Sequence, residues 1–359
     1  MRPEQESPLL RSRRVWFGFA ISLVFLILFL ARTDFGEIRD AFREANYVIA
    51  FASLPVYFAG IVVRTMRWQF LLRPVAKVSI ARLYPVVIIG LMANNLIPAR
   101  AGELVRAYIL GERERVSKAA ALGTIAVDRL FDGLALIPML VIIALVAGGR
   151  EEFTADLYVT TFTVDFIGLA VLMAVLFGVA LAILAVLAFS QAWQQRFDTL
   201  VLALTPARFH ASVEGLSDSF FSGLRSLRSP FDMGMALLLS VVSWLLEATM
   251  YYIVGIAFDI DVGFQHFLLA TAGANLAIAV LASQGGIGPF EFVTKQTFIA
   301  AGVASSAATA YAIGLHALVL LPVIVLGLYY LGTMGLSLGE MFRRSTRGTP
   351  AGVGEKGDA

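Results

Sequence analysis

The sequence predicts an all-α, polytopic membrane helical bundle, and three observations carry that expectation. Residues 166–189, FIGLAVLMAVLFGVALAILAVLAF, run without one charge or amide, and a run of this length crosses the ~30 Å hydrocarbon core of a bilayer. Charged residues make up only 15% of the 359, with 58% hydrophobic, where a soluble domain carries roughly a quarter charged. Helices and closed barrels are the two structures that satisfy every backbone group in lipid. The apolar runs here lack the alternation of a barrel strand, so helices remain.

The first hydrophobic stretch, Trp16–Ala31, follows Arg11, Arg13 and Arg14. No small-x-small cleavage site precedes the charged segment Arg32–Glu44, so it reads as a first spanning helix rather than a signal peptide. Further long apolar segments lie at 47–63, 119–147, 166–189, 233–258 and 305–338, and two irregular ones at 83–97 and 264–302. The segment 64–82 carries Arg64, Arg67, Arg73, Lys77 and Arg82 without an acid, and 98–118 carries Arg100, Arg106, Arg113, Arg115 and Lys118. The positive-inside rule makes both cytoplasmic. The segment 148–165, with Glu151, Glu152, Asp156 and Asp165 against Arg150, faces outward, and Arg343, Arg344 and Arg347 keep the C-terminus inside. The expected location is a bacterial-type inner (cytoplasmic) membrane with both termini cytoplasmic. The mixed segment 190–232 is expected to form interfacial helices linking two halves.

With cytoplasmic flanks on both sides, 83–97 cannot simply cross. It is short and ends in Asn94, Asn95 and Pro98, so it is predicted to be re-entrant. The segment 264–302 is broken at SQGGIGPFE, Ser283–Glu291, where Gly and Pro oppose a regular helix. Re-entry there from the opposite face gives the layout of an inverted-repeat transporter. The domain plan is a cytoplasmic tail 1–14, a transmembrane domain 15–338 and a cytoplasmic tail 339–359.

The polar groups kept inside apolar segments are the functional candidates. NNLIPARAGELVR, Asn94–Arg106, is the densest motif. Arg100 and Arg106 present forked donors suited to phosphate, with leaflet anchoring as the competing role. Asn94, Asn95 and Glu103 accompany them, and Arg67 is within reach of a headgroup although its position also suits anchoring. Asp128 and Asp132 share a helical face with Thr124, beside Arg129. Structural pairing competes there with substrate or proton coupling, and with a metal. Glu247 is an isolated charge in an apolar helix, on a stripe with Ser240, Ser243 and Tyr251. It is a coupling candidate or a packing hydrogen-bond group. Gln284 and Glu291 flank free backbone N–H groups of the second break, with Lys295 one turn beyond; glycine packing is the competing reading.

RTMRWQFLL at Arg64–Leu72, NNLIPARAGELVRAYIL at Asn94–Leu110, VDRLFDG at Val127–Gly133 and QGGIGPFE at Gln284–Glu291 together resemble the flippase-like family that contains the membrane part of bacterial lysylphosphatidylglycerol synthases. The resemblance covers residues 15–338. It implies a bundle with re-entrant segments and, in characterised members, movement of an aminoacylated phospholipid between leaflets. Other relatives are linked to polyprenyl-phosphate or glycolipid pathways. By resemblance, Arg100, Glu103, Arg106, Asp128, Arg129 and Glu291 occupy the family's polar positions. A synthase carries a soluble catalytic domain after the bundle. Here about 20 polar residues follow, so aminoacyl transfer by this chain is not expected and the lipid is left unidentified.

These readings favour a lipid flippase or scramblase moving a phosphate-bearing lipid (aminoacyl-phospholipid, glycolipid or polyprenyl-phosphate type), with an enzyme the less favoured class and no catalytic residue assigned. The rivals are an intramembrane transferase acting on a polyprenyl-phosphate lipid, in which Asp128 and Asp132 would hold Mg²⁺, and a non-transporting scaffold. The chain has no cysteine, and His210, His266 and His316 are too scattered for a zinc cluster. No Walker-type loop is present. No cofactor, metal or nucleic acid is expected. The expected partners are membrane lipids and a separate lipid-modifying enzyme, with the oligomeric state left open.

Overall fold

The computed structural model describes residues 23–27, 29, 35–97, 101–146, 152–157, 160–206, 209–281 and 283–336. The two tails, most of the first expected span and Arg100 lie outside these residues. The protein is a multi-pass membrane helical bundle. The helices are α1 (Phe35–Glu44), α2 (Tyr47–Ala52), α3 (Leu54–Leu72), α4 (Ile80–Leu96), α5 (Gly102–Glu114), α6 (Lys118–Val146), α7 (Phe166–Phe189), α8 (Gln191–Ala203), α9 (His210–Gly223), α10 (Pro230–Ala257), α11 (Phe264–Leu281), α12 (Pro289–Ala300) and α13 (Ser305–Thr333). The stretch Tyr47–Leu72 and helices α10 and α13 are each long and apolar enough to cross a membrane. At 1.5 Å per residue, α10 and α13 reach about 42 Å.

One order of elements occurs twice. A long helix (α3), a helical hairpin (α4–α5) and a long helix (α6) are followed later by α10, the hairpin α11–α12, and α13. The return legs α5 and α12 have 13 and 12 residues, about 20 Å or less, too short to cross a ~30 Å core. In the first hairpin the legs touch backbone to backbone. A Cβ on Gly102 would stand 2.1 Å from the Gly90 carbonyl oxygen, so only a glycine fits. Arg82 and Glu114 close its open end at 2.6 Å. In the second hairpin the rings of Phe267 and Phe298 meet at a tilt near the open end, centroids 5.0 Å apart.

The two tips meet. The position a Cβ would take on Gly285 lies 3.3 Å from the Asn95 carbonyl oxygen. The 3-10 turn Gln284–Gly286 packs on α4, while the legs of the two hairpins do not run alongside one another among the described residues. The hairpins therefore approach end to end, with α3 packed along α10, and α13 along α4 and α12. Lipid provides no hydrophobic drive between helices. Close small-residue contacts and polar pairs hold this core together instead.

Three parts of the sequence reading are corrected. The apolar segment expected at 47–63 runs further: α3 continues to Leu72, burying Arg67 completely. The re-entrant element expected at 83–97 also extends further, because Gly102–Glu114 folds back as its return leg. The positive-inside count assumes solvated arginines, and Arg67 and Arg106 are buried against carboxylates. Finally, the segment 148–165, expected to face outward, contains a two-stranded antiparallel hairpin, β1 (Glu152–Leu157) paired with β2 (Thr160–Asp165). Its Thr- and Phe-rich strands suit a pleated ribbon, an appendage to an otherwise all-α fold. Helices α8 and α9 occupy the mixed segment between the halves, and the chain bends by 102° from α7 into α8.

Candidate functional site

Three polar layers stack between the two halves. In the first, Arg67 of α3 donates from Nε to Asp128 Oδ1 at 2.8 Å and from Nη1 to Asp132 Oδ1 at 2.6 Å and Ser240 Oγ at 2.8 Å. The i,i+4 spacing of the two aspartates on α6 lets one guanidinium bridge both. Arg106 of α5 donates to Asp128 Oδ2 at 3.2 Å and lies 4.1 Å over the Trp68 ring. Trp68 Nε1 donates to Thr124 Oγ1 at 3.0 Å. Arg129 reaches Asp128 at 3.3 Å and Asp132 at 3.1 Å.

The second layer joins α3 to α10 and α11. Arg64 Nη2 stands 2.5 Å from Glu247 Oε2, and Asn275 Nδ2 donates to Glu247 Oε1 at 2.9 Å. Ser240, Ser243, Glu247 and Tyr251 are all buried. The third layer is the pair of hairpin tips. Asn94 accepts from the Gly102 backbone N–H at 2.8 Å and donates to Glu103 Oε1 at 3.2 Å. In the second tip Gly285, Gly286 and Gly288 take positive φ of 60°, 78° and 94°, a region that L side chains avoid. The Gly288 N–H donates to Glu291 Oε2 at 2.7 Å. His316 Nδ1 stands 2.6 Å from Glu291 Oε1 and Nε2 3.1 Å from the Gly285 carbonyl. Both ring nitrogens face oxygen atoms.

These layers enclose a cavity of about 490 Å³. Asn94, Asn95, Glu103, Arg129, Asp132 and Glu247 of the sequence candidates line it. Arg67, Arg106 and Asp128 stand behind that wall, buried and tied to one another. Glu291 reaches the cavity through His316. Gln284 contributes its backbone to the second tip. Lys295 points elsewhere, its Nζ donating to the Phe29 carbonyl at 3.0 Å. Sequence reasoning passed over Arg64, Asn275, Ser283 and His316, which also line the cavity. Asn275 and His316 are isolated polar residues in apolar helices, the signal that should have singled them out.

The charge balance differs from a simple anion cradle. Arg64, Arg67, Arg106 and Arg129 are paired with Asp128, Asp132 and Glu247. Glu103 has no ion-pair partner among the described residues and is held by the Asn94 amide alone. Arg129 is the most open cation of the cavity wall, its side chain 39% exposed against 18% for Arg64. Among the described residues no group of three or more His, Asp or Glu side chains is placed to hold a metal ion.

Helical hairpins meeting over a buried polar cavity define an integral membrane protein of the flippase-like class. The family model for the lysylphosphatidylglycerol synthase TM region matches residues 15–327, and the chain belongs to that family. It is similar to two proteins named UPF0104 membrane protein from Methanothermobacter thermautotrophicus. One is 26% identical over 77% of this chain and 82% of the relative, the other 25% identical over 81% and 85%. It is also similar to glycosyltransferase AglD of Haloferax volcanii, 27% identical over 84% of this chain and 51% of that protein. This last likeness overturns the expectation that the chain is a transporter rather than an enzyme. A relative named as a glycosyltransferase matches most of this chain's length, while the chain spans about half of that relative.

Proposed function

We propose that the cavity binds a phosphate-bearing lipid of the polyprenyl-phosphate type and that the chain serves as an intramembrane component of group transfer to or from that lipid. The observation that carries this reading is Glu103. It is the cavity carboxylate without an ion-pair partner among the described residues, and it lines the same cavity as Arg129, whose side chain is 39% exposed. Arg129 would orient the phosphate, and Glu103 would take or supply the proton that group transfer moves. The resemblance to a glycosyltransferase supports transfer as the chemistry. The whole transmembrane stretch 15–338 acts as one unit in this reading, in a cytoplasmic membrane, with tails 1–14 and 339–359 on the cytoplasmic side. A separate lipid-modifying enzyme is the partner that fits.

One observation favours a second reading, passage of the headgroup between leaflets. The hairpins meet tip to tip at the cavity, the arrangement that lets a transporter expose one site to alternate faces. A single experiment separates the two. Purified protein in vesicles is incubated with polyprenyl phosphate and nucleotide-sugar donors, with leaflet position and lipid mass followed together. A new lipid product that disappears in Glu103→Gln supports transfer. Lipid that changes leaflet with its mass unaltered supports translocation, and neither outcome in active-membrane protein ends both.

A further inference from the structure

Among the described residues, several cavity-lining donors have no hydrogen-bond partner. Arg64 Nε, Trp244 Nε1, Tyr251 Oη and Ser283 Oγ are buried without a hydrogen bond, and all four residues line the same cavity. Buried polar groups are normally satisfied, and each orphan calls for an explanation. Arg64 and Trp244 also touch, the guanidinium 4.9 Å from the ring centroid. Glu247 neutralises Arg64, so this wall offers directed donors without net charge.

Three ligand chemistries compete for such a wall. An ammonium headgroup needs acceptors, and the orphaned atoms of Arg64 and Trp244 are donors only. A single phosphate is compact. Trp244 and Tyr251 are seven residues apart on α10, roughly 10 Å along the helix, farther than the oxygens of one phosphate reach. An uncharged ring bearing several hydroxyl oxygens fits both the spread of the donors and the neutrality. The rings of Tyr57 and Phe177 line the same cavity, and aromatic rings suit the apolar C–H faces of such a ring.

We propose that Arg64, Trp244 and Tyr251, with Ser283 across from them, form a subsite for the sugar of a lipid-linked saccharide. This rests on the reading of the cavity as a phosphate-lipid site and names what the lipid carries. Arg129 then holds the phosphate end, while the α3–α10 wall holds the sugar. The site recognises hydroxyl oxygens by donors that are left unsatisfied when the sugar is missing, which is the arrangement that discriminates strongly against the shorter analogue.

The test uses full-length protein in lipid nanodiscs and two probes, a polyprenyl phosphate and the same lipid carrying one hexose, titrated by native mass spectrometry. Wild type is expected to bind the glycosylated lipid about tenfold or more tightly than the bare one. Tyr251→Phe and Trp244→Phe each keep an aromatic ring and remove one donor. Each should reduce the preference roughly 3- to 10-fold while leaving affinity for the bare lipid unchanged. Equal binding of both lipids by wild type overturns the subsite and leaves the lipid site standing. Binding of neither overturns the lipid site and the subsite with it. Inorganic phosphate competing with the hexosyl lipid in wild type but not in Tyr251→Phe assigns these donors to phosphate and also overturns the proposal.

Discussion

The two hairpins have the same shape and are built from different chemistry. The first, 80–114, turns at Asn94–Ala101, and its tip is wired by a side-chain amide that bonds both the Gly102 N–H and Glu103. Its legs lie against a cluster of guanidiniums and aspartates. The second, 264–300, turns on three glycines at positive φ and is fastened by one carboxylate and one imidazole. Apart from Glu291, the only ionised side chain its legs carry is Lys295, with Gln, Thr, Asn275 and His266 among otherwise apolar residues. Matching architecture without matching residues shows that the repeat resides in where the helices break. It also explains why comparing residue identities between the halves does not reveal it.

The comparison breaks most cleanly on topology. The chain has no cysteine, so single cysteines replacing Lys77 and Gly302, at the open ends of the two hairpins, report their own sides. Opposed hairpins require labelling of the two variants from opposite faces, all or none. Labelling from one face ends the inverted arrangement.

Energetics should separate the halves next. Arg67→Ala leaves Asp128 and Asp132 without their bridging cation in a dry interior, and a loss of about 3–5 kcal/mol is expected. Arg67→Lys should recover little, since a point charge cannot bridge both carboxylates as the fork does. The buried cation of the second half, Lys295, bonds a backbone carbonyl. Lys295→Met should cost under about 1 kcal/mol, as apolar replacement of buried charge commonly does. Thermal unfolding in detergent measures both. Similar losses would mean that the two halves are held alike.

The tips give a smaller, matched pair of effects. Gly288→Ala forces a side chain into φ 94° and should cost about 1–3 kcal/mol. Asn94→Ala strands the Gly102 N–H and should cost about 1–2 kcal/mol. A Gly288→Ala protein of wild-type stability would show that the second tip does not depend on glycine geometry. The smallest effect on stability belongs to Glu103→Gln, within about 0.5 kcal/mol, because the amide keeps the Asn94 contact and breaks no ion pair. Its effect on lipid chemistry should nonetheless be severe, and normal product formation by a folded Glu103→Gln protein removes Glu103 from the proposed mechanism. Glu291→Gln should do the reverse, weakening the His316 contact and with it the tip.

The apolar helices were legible because their signal is local. The run 166–189 and helix α7 share both ends, and the broken segments 83–97 and 264–302 were marked by their own Asn, Pro and Gly. The charged stretches were misread because their partners are distant. Arg67 meets Asp128 across 61 residues and Arg64 meets Glu247 across 183. A count of basic residues cannot distinguish such an arginine from one in solvent. The same distance hid Arg64 as a cavity residue. Asn94, Asn95, Glu103 and Glu247 were found because a polar residue inside an apolar segment, or beside a helix break, is conspicuous by itself. The β-hairpin escaped notice because its acidic residues drew the reading toward loop, while its Thr alternation went uncounted.

The positions of the charge partners bear on how the chain is put together during synthesis. Arg67, Arg106, Asp128, Arg129 and Asp132 all lie within one stretch of 66 residues, so the N-terminal half carries its own counter-ions as it leaves the ribosome. It can bury its charges in lipid before α10 exists, with Ser240 the one later addition to that network. Arg64 has no such recourse: its carboxylate arrives with residue 247. Together with the Arg73–Asp232 pair at 3.1 Å, that late pair acts as a clasp between two halves made at different times, and it closes beside the cavity where the substrate is to sit.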